Sequence, residues 1–407
     1  MPPPTRSGLT SGGRRAVLRG PAALLLACLA LAGCAERADL VLAGGRVVDP
    51  ESGLDGTRWI AITGGRVVAV SERSLGGREV LNVTGLVVGP GFIDMRASVF
   101  DSASLAALAL DGVATALLLE PGVHPVGSWL AAHAEGPLNV GAAVAHARAR
   151  GEAFPLRVGE GVVPPDQPLD GTAMEALVRR VRQGLAEGAL GIGFTHAAVP
   201  GATTLEVEDL FAVAGFERVP VFARPRDASS TALAELLAAA APLGTPLHLV
   251  GPEGWAADSL EAVLARVDSA ARAGVDVSIE LTAGIAAADE EPGSIDRGTI
   301  LAGDRGTGVF VRALAPHMRA EPGAQPGALA HAFARVSTLP ARRLERVAPD
   351  FRRKGRIQVG ADADLVVLDP VVGAVRHLVV GGVVVVREGR LVGGARPGRV
   401  LRGGGEP

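Results

Sequence analysis

The chain has 407 residues, 48% of them hydrophobic and 20% charged, and a formal net charge of −3. That length is too great for one average domain and suits a barrel with an accessory domain, while the composition excludes a disordered chain. The charge balance offers no basic surface for nucleic acid, and with no Tyr, ten Phe and three Trp the chain is poorly supplied for stacking on bases.

Arg14, Arg15 and Arg19 precede an apolar run over residues 21–32, followed by Leu31-Ala32-Gly33-Cys34. A positive segment, a short apolar segment and small residues before a cut site form a secretory signal. The run is too short to span a bilayer comfortably. Leu-Ala-Gly-Cys resembles a bacterial lipobox, which implies cleavage before Cys34, a lipid on its sulfur, and a protein held on a membrane of the bacterial cell envelope. Cys28 leaves with the signal, so no thiol remains for a disulfide or a Cys-ligated metal.

Residues 39–48 and 59–70 read as apolar strands split by Gly and Asp turns. Strand-like runs follow at 87–94, 113–120, 138–146, 189–195, 219–223, 245–250 and 275–281, with room for an eighth near 299–311. Helical stretches lie between several of them, at 174–187, 205–217, 230–243 and 259–273. In the first, Leu177, Val181 and Leu185 share one face. Strands alternating with helices predict a parallel sheet covered on both faces, here a (β/α)8 barrel. Residues 363–368, 375–380 and 383–387 repeat the texture of the first strands, so both chain ends are expected to form one small β-sandwich. The expected division is a signal over 1–33, sandwich from 34–88 and 348–407, and barrel over 89–347. The basic run 352–356, which holds Lys354, the only lysine, reads as a solvated face plus a strand start.

Several segments carry a resemblance. Val88-Gly-Pro-Gly-Phe-Ile-Asp94 resembles the first barrel strand of the metal-dependent amidohydrolase superfamily. Leu110-Asp-Gly-Val-Ala-Thr-Ala-Leu-Leu-Leu-Glu-Pro-Gly122, Glu187-Gly-Ala-Leu-Gly-Ile-Gly193 and Lys354-Gly-Arg-Ile-Gln-Val-Gly-Ala-Asp-Ala-Asp364 narrow it to the N-acyl-D-amino-acid deacylase branch, especially its D-glutamate deacylase-like members. The resemblance implies hydrolysis of C–N bonds in N-acyl-D-amino acids or related amides. Such chemistry uses metal-activated water and a carboxylate that moves the proton. It also implies zinc ligands: His-x-His after strand one, one His each on strands five and six, and an Asp on strand eight.

Those positions depart from the pattern. Arg96-Ala97-Ser98 stands where His-x-His is expected, Arg224 at the strand-five His and Gly251 at the strand-six His. Guanidinium stays protonated and cannot ligate a metal. Asp304 is the candidate strand-eight Asp. Glu120 ends strand two, His146 follows strand three, His196 follows strand four and Arg226 follows strand five. His248 alternates with Leu247 and Leu249 and reads as a satisfied core histidine.

Three readings stay open. Glu120, His146 and His196 form a relocated metal site; or Arg96 and Arg224 replace the metal charge and pair with Glu120; or the mouth has drifted and these groups are merely solvated. Glu120, His146 and Asp304 are the candidate catalytic residues, and Arg226 and His196 the candidate substrate contacts. No cofactor is expected, with zinc the metal if the family activity persists. The expected partners are a small amide-like ligand and, through Cys34, a membrane. The rival to an impaired hydrolase is a metal-free, lipid-anchored binding or scaffold protein on the same fold.

Overall fold

The computed structural model describes residues 37–97, 100–153, 166–251, 257–282, 299–302, 308–319 and 327–404. Cys34, Ser98 and Asp304, singled out above, lie outside the described residues.

The first sheet gathers β1 (Ala38–Asp49), β2 (Leu54–Thr63), β3 (Arg66–Ser71), β4 (Gly77–Asn82) and β5 (Val87–Pro90). The run 59–70 is split by the turn at Gly64 and Gly65. Both have positive φ (57° and 77°), and Thr63 pairs directly with Arg66, a two-residue hairpin whose turn favours glycine. The run 87–94 also divides. β5 stays in the first sheet, and the chain crosses at Gly91, where a Cβ would lie 2.5 Å from that of Ala114.

The second sheet is parallel: β6 (Phe92–Asp94), β7 (Val113–Val123), β8 (Asn139–Ala145), β9 (Ile192–Thr195), β10 (Val221–Arg224), β11 (Leu247–Val250), β12 (Val277–Thr282) and β13 (Thr299–Ala302). Each pairs with the next in sequence order, forming a nearly closed eight-stranded barrel. Seven of the helices that follow its strands are α1 (Ser102–Leu110), α2 (Val126–Ala132), α3 (His146–Ala153), α4 (Gly171–Ala186), α5 (Thr204–Phe216), α6 (Ser230–Ala240) and α7 (Ala257–Arg272). The sequence reading gives no helix at α1, α2 or α3. Side-chain caps start several helices: Asp101, Asp170, Thr203 and Ser229 each accept a backbone N–H of the first turn. On α4, Leu177 and Val181 are fully buried and Leu185 packs beside them.

The chain then returns to the first sheet as β14 (Leu365–Asp369), β15 (Ala374–Val380), β16 (Val383–Arg387) and β17 (Arg390–Leu391). β14 pairs antiparallel with β5, and β5 pairs with β1, so strands from both ends lie side by side. Leu40, Leu42, Ile60, Ile62, Val88, Leu365, Val367 and Val379 share one core under this sheet.

The basic run 352–356 is not uniformly solvated. Lys354 is 3% exposed and reaches Asp364 at 2.7 Å and Asp362 at 3.1 Å. A buried ammonium needs such partners. Asp364 also accepts from the Asn139 side chain at 3.0 Å, which joins the sheet to the base of β8.

Candidate functional site

Barrel sites are built at strand C-termini. β9, β10, β11 and β12 present one level there: Thr195 is in register with Arg224, Ala223 with Leu249, and Val250 with Glu280.

Glu120 joins this level through a feature of β7. That strand runs beyond Glu120 to Val123, with an irregularity against β8 between Leu118 and Val123. Gly193 on β9 admits the bend, since a Cβ there would lie 2.3 Å from the Leu119 carbonyl and 2.6 Å from that of Glu120. Glu120 is 5% exposed. Thr195 Oγ1 donates to its Oε1 at 2.5 Å, and Arg224 Nη2 donates to its Oε2 at 3.1 Å. Arg224 Nε is buried with no hydrogen-bond partner among the described residues.

Arg96 was expected beside Glu120. Among the described residues its ion pair is instead with Glu280, 4.0 Å away on β12. Its backbone N–H donates to Asp94 at 3.0 Å, which folds the chain back at the end of β6. Glu280 is 1% exposed and accepts at 3.0 Å from His248 Nε2, while His248 Nδ1 meets the Ser278 hydroxyl at 2.9 Å. Both nitrogens of His248 are therefore satisfied, as a core histidine requires. Sequence reasoning missed Glu280. Its signal was the alternation of Asp276, Ser278 and Glu280 within an apolar strand, which puts polar side chains on one face. Gly251 offers no ligand, and a Cβ there would lie 2.8 Å from the Glu280 carbonyl.

His146 and His196 turn the other way. Phe194 touches both rings, with centroids at 4.8 Å from each, and strand alternation sends Phe194 opposite to its neighbour Thr195. Both histidines thus lie in the layer between barrel and helices, fully buried. His146 Nε2 is 2.8 Å from Glu206 of α5, which also accepts from Arg150 Nε at 2.9 Å. Burial pushes the His146 pKa below the ordinary imidazole value, and the Glu206 carboxylate offsets this only in part. Burial would raise the Glu206 carboxyl, but His146 and Arg150 outweigh it and hold it below the usual range. His196 is likewise lowered, by burial and then by Arg226. Arg226 makes two bonds to Glu235, at 3.2 and 3.0 Å. The structure therefore brings together Glu120 with Arg224, but does not bring His146 or His196 to them. Glu206 and Glu235 were not found from sequence, since each lies on a helix and nothing local marks it as a partner.

Among the described residues, no group of three or more His, Cys, Asp or Glu side chains is arranged to hold a metal ion. The strand-five position holds a guanidinium whose positive charge already occupies Glu120, and the strand-six position holds no side chain. These residues do not fit a zinc centre.

The chain is similar in structure to N-acyl-D-glutamate deacylase from Bordetella bronchiseptica, solved with zinc and a phosphonate inhibitor: TM-score 0.74, 21% identity, 90% of this chain and 100% of that one. It is also similar to D-aminoacylase (TM-score 0.71, 20% identity, 89% and 99%) and to L-hydantoinase from Arthrobacter aurescens (TM-score 0.63, 15% identity, 89% and 99%). Among curated proteins, dihydroorotase of Streptococcus thermophilus (strain CNRZ 1066) is 44% identical over 58 residues, 14% of each chain. Dihydroorotase of Anaeromyxobacter dehalogenans (strain 2CP-C) is 35% identical over 97 residues, 21% of this chain and 22% of its own. The chain thus matches about a fifth or less of the length of these curated relatives. No family model matches. The solved neighbours establish the fold as that of the amidohydrolases, a barrel joined to a β-sandwich.

Proposed function

We propose that this amidohydrolase-fold protein is a lipid-anchored binding protein of the bacterial envelope that takes a small amide-like ligand at its barrel mouth without metal-dependent hydrolysis. The relatives in structure include an N-acyl-D-glutamate deacylase and a D-aminoacylase, so N-acyl-D-amino acids are the ligand class to test first. The observation that carries the reading is the Arg224–Glu120 ion pair, 3.1 Å, at the strand ends. A fixed cation stands there in place of a ligand, and the carboxylate that would move a proton is bonded to it and to Thr195. Arg224 Nε keeps an unused donor, suited to the carbonyl oxygen of an amide or to a carboxylate. Anchoring rests on Cys34 and the signal before it.

The test takes the mature protein purified from membranes. Zinc is expected below one per chain, thermal unfolding is expected to be unchanged by chelator, and N-acetyl-D-glutamate is expected to bind in calorimetry and to remain intact. Stoichiometric zinc with chelator-sensitive hydrolysis would overturn the binding reading in favour of an active hydrolase. Failure of every N-acyl-D-amino acid in a panel to bind would overturn the ligand class. Cys34→Ala is expected to leave the detergent phase, and equal partitioning with the parent would reject the anchor.

A further inference from the structure

The C-terminal tail leaves the first sheet and crosses to the floor of the barrel. Among the described residues, β8 has no partner from the β9 side below Ala142. Leu190 N–H donates to the Ala142 carbonyl at 2.9 Å, and Ala189 N–H turns back to Gly184 at 3.1 Å. The tail fills the gap. Val140 N–H donates to the Arg399 carbonyl at 2.9 Å, and Leu401 N–H returns to the Val140 carbonyl at 2.7 Å. Gly398 N–H donates to the Gly136 carbonyl at 2.9 Å, and Gly403 N–H to that of Gly188 at 3.0 Å. Leu401, 2% exposed, enters the barrel's own hydrophobic core.

The seat is selective. A Cβ at Gly398 would lie 2.0 Å from the Leu138 carbonyl, and one at Gly403 would lie 2.2 Å from that of Ala189. On the barrel side, a Cβ at Gly141 would lie 2.7 Å from Leu190 Cδ1. The groove therefore fits an extended segment with glycine, then a leucine three residues on, then glycine two further. Backbone bonds supply affinity and the leucine pocket supplies specificity, as in strand addition to a sheet edge. The tail reaches the groove past Gly393 and Gly394, which are exposed and meet no other atoms within 4 Å of an added Cβ.

We propose that residues 136–142 and 188–190 form a strand-acceptor site, filled in cis by residues 398–403 and able to take the same segment of a second copy. Exchange of an identical element through an exposed connection is a low-cost route to dimers. This inference is independent of the proposed ligand.

In the test, a protease site is placed between Gly393 and Gly394 and the folded, full-length chain is cut. The tail is expected to stay bound on size exclusion, and excess fluorescent peptide of residues 395–404 to replace it at about one label per chain. The same peptide carrying Leu401→Asp is expected not to bind. A second arm uses the uncut Gly403→Val chain, whose own tail cannot seat, and which is expected to take up the wild-type peptide at a similar level. A third deletes Gly393–Ala395, shortening the connection, and is expected to raise the dimer fraction in sedimentation. Release of the tail on cutting, uptake of the Leu401→Asp peptide equal to that of wild type, no label on the Gly403→Val chain, or an unchanged dimer fraction would each overturn the site.

Discussion

Buried charge lies at both ends of the barrel, but the two ends handle it differently. At the floor, Lys354 has two carboxylate partners, and Asp364 accepts from Lys354, Asn139 and the Gly381 N–H. Burial would pull the Lys354 ammonium down, but Asp364 and Asp362 outweigh it and hold its pKa above the ordinary lysine value. At the mouth, Arg224 pairs with Glu120, and Arg224 Nε and Glu280 Oε1 are buried without hydrogen bonds among the described residues. A fully satisfied network holds structure. A network with unused donors and acceptors can gain partners from a ligand.

The largest effect should come from breaking the floor. Lys354→Met leaves Asp362 and Asp364 buried without their cation, and losing one member of such a buried group costs about 3–5 kcal/mol. Urea unfolding of the parent and the variant measures it. A loss below about 1 kcal/mol would mean that the floor is no better bound than the mouth, and the contrast between the ends would disappear.

The mouth should yield less. Glu120→Gln keeps the shape and the Thr195 contact but leaves Arg224 without its charge partner. The Arg224 side chain is 21% exposed, so water recovers part of the loss, and about 1–3 kcal/mol is expected. The same variant should weaken ligand binding, because Glu120 fixes the guanidinium plane. Unfolding together with calorimetry would sharpen the comparison: stability lost with ligand affinity unchanged would show that the mouth, like the floor, only holds structure.

The comparison also separates what the sequence could tell from what it could not. Strand runs and helix faces read along the chain located the barrel and the joining of its ends, because periodicity is a local signal. Glu120 is legible because it ends a strand run, and Arg96 and Arg224 because the resemblance expects histidines where they stand. Arg224 pairs with Glu120, while the described ion pair of Arg96 is with Glu280 on β12. Which carboxylate a cation meets depends on register and on the bend that Gly193 allows, and neither is written locally. Lys354 was misread for the same reason. A basic run normally marks a solvated face, and only the crossing of β14 beside β5 puts its two aspartates around the ammonium. The tail's seat on β8 joins residues about 260 apart and leaves only glycines as its trace.

The smallest effect concerns the helix layer beside the mouth. His146 and His196 are buried, and both pKa values lie below the ordinary imidazole value. The unfolded chain therefore takes up protons at about pH 6.5 where the folded chain does not. Stability is then full above that pH and falls as the pH drops below it, because protons bind preferentially to the unfolded state. Glu206 behaves as a lowered carboxylate, so its contribution is present above about pH 4.3 and is lost further into acid. Two successive acid losses should follow, the first from histidine and the second from Glu206. His146→Gln can keep a donor toward Glu206 while removing a titrating group, so it should flatten the first loss and leave floor and mouth untouched. Unfolding free energy measured from pH 8 to pH 4 in both proteins tests this. A first loss of equal size in the variant would move its origin to histidines such as His196 or His377, whose pKa burial also lowers.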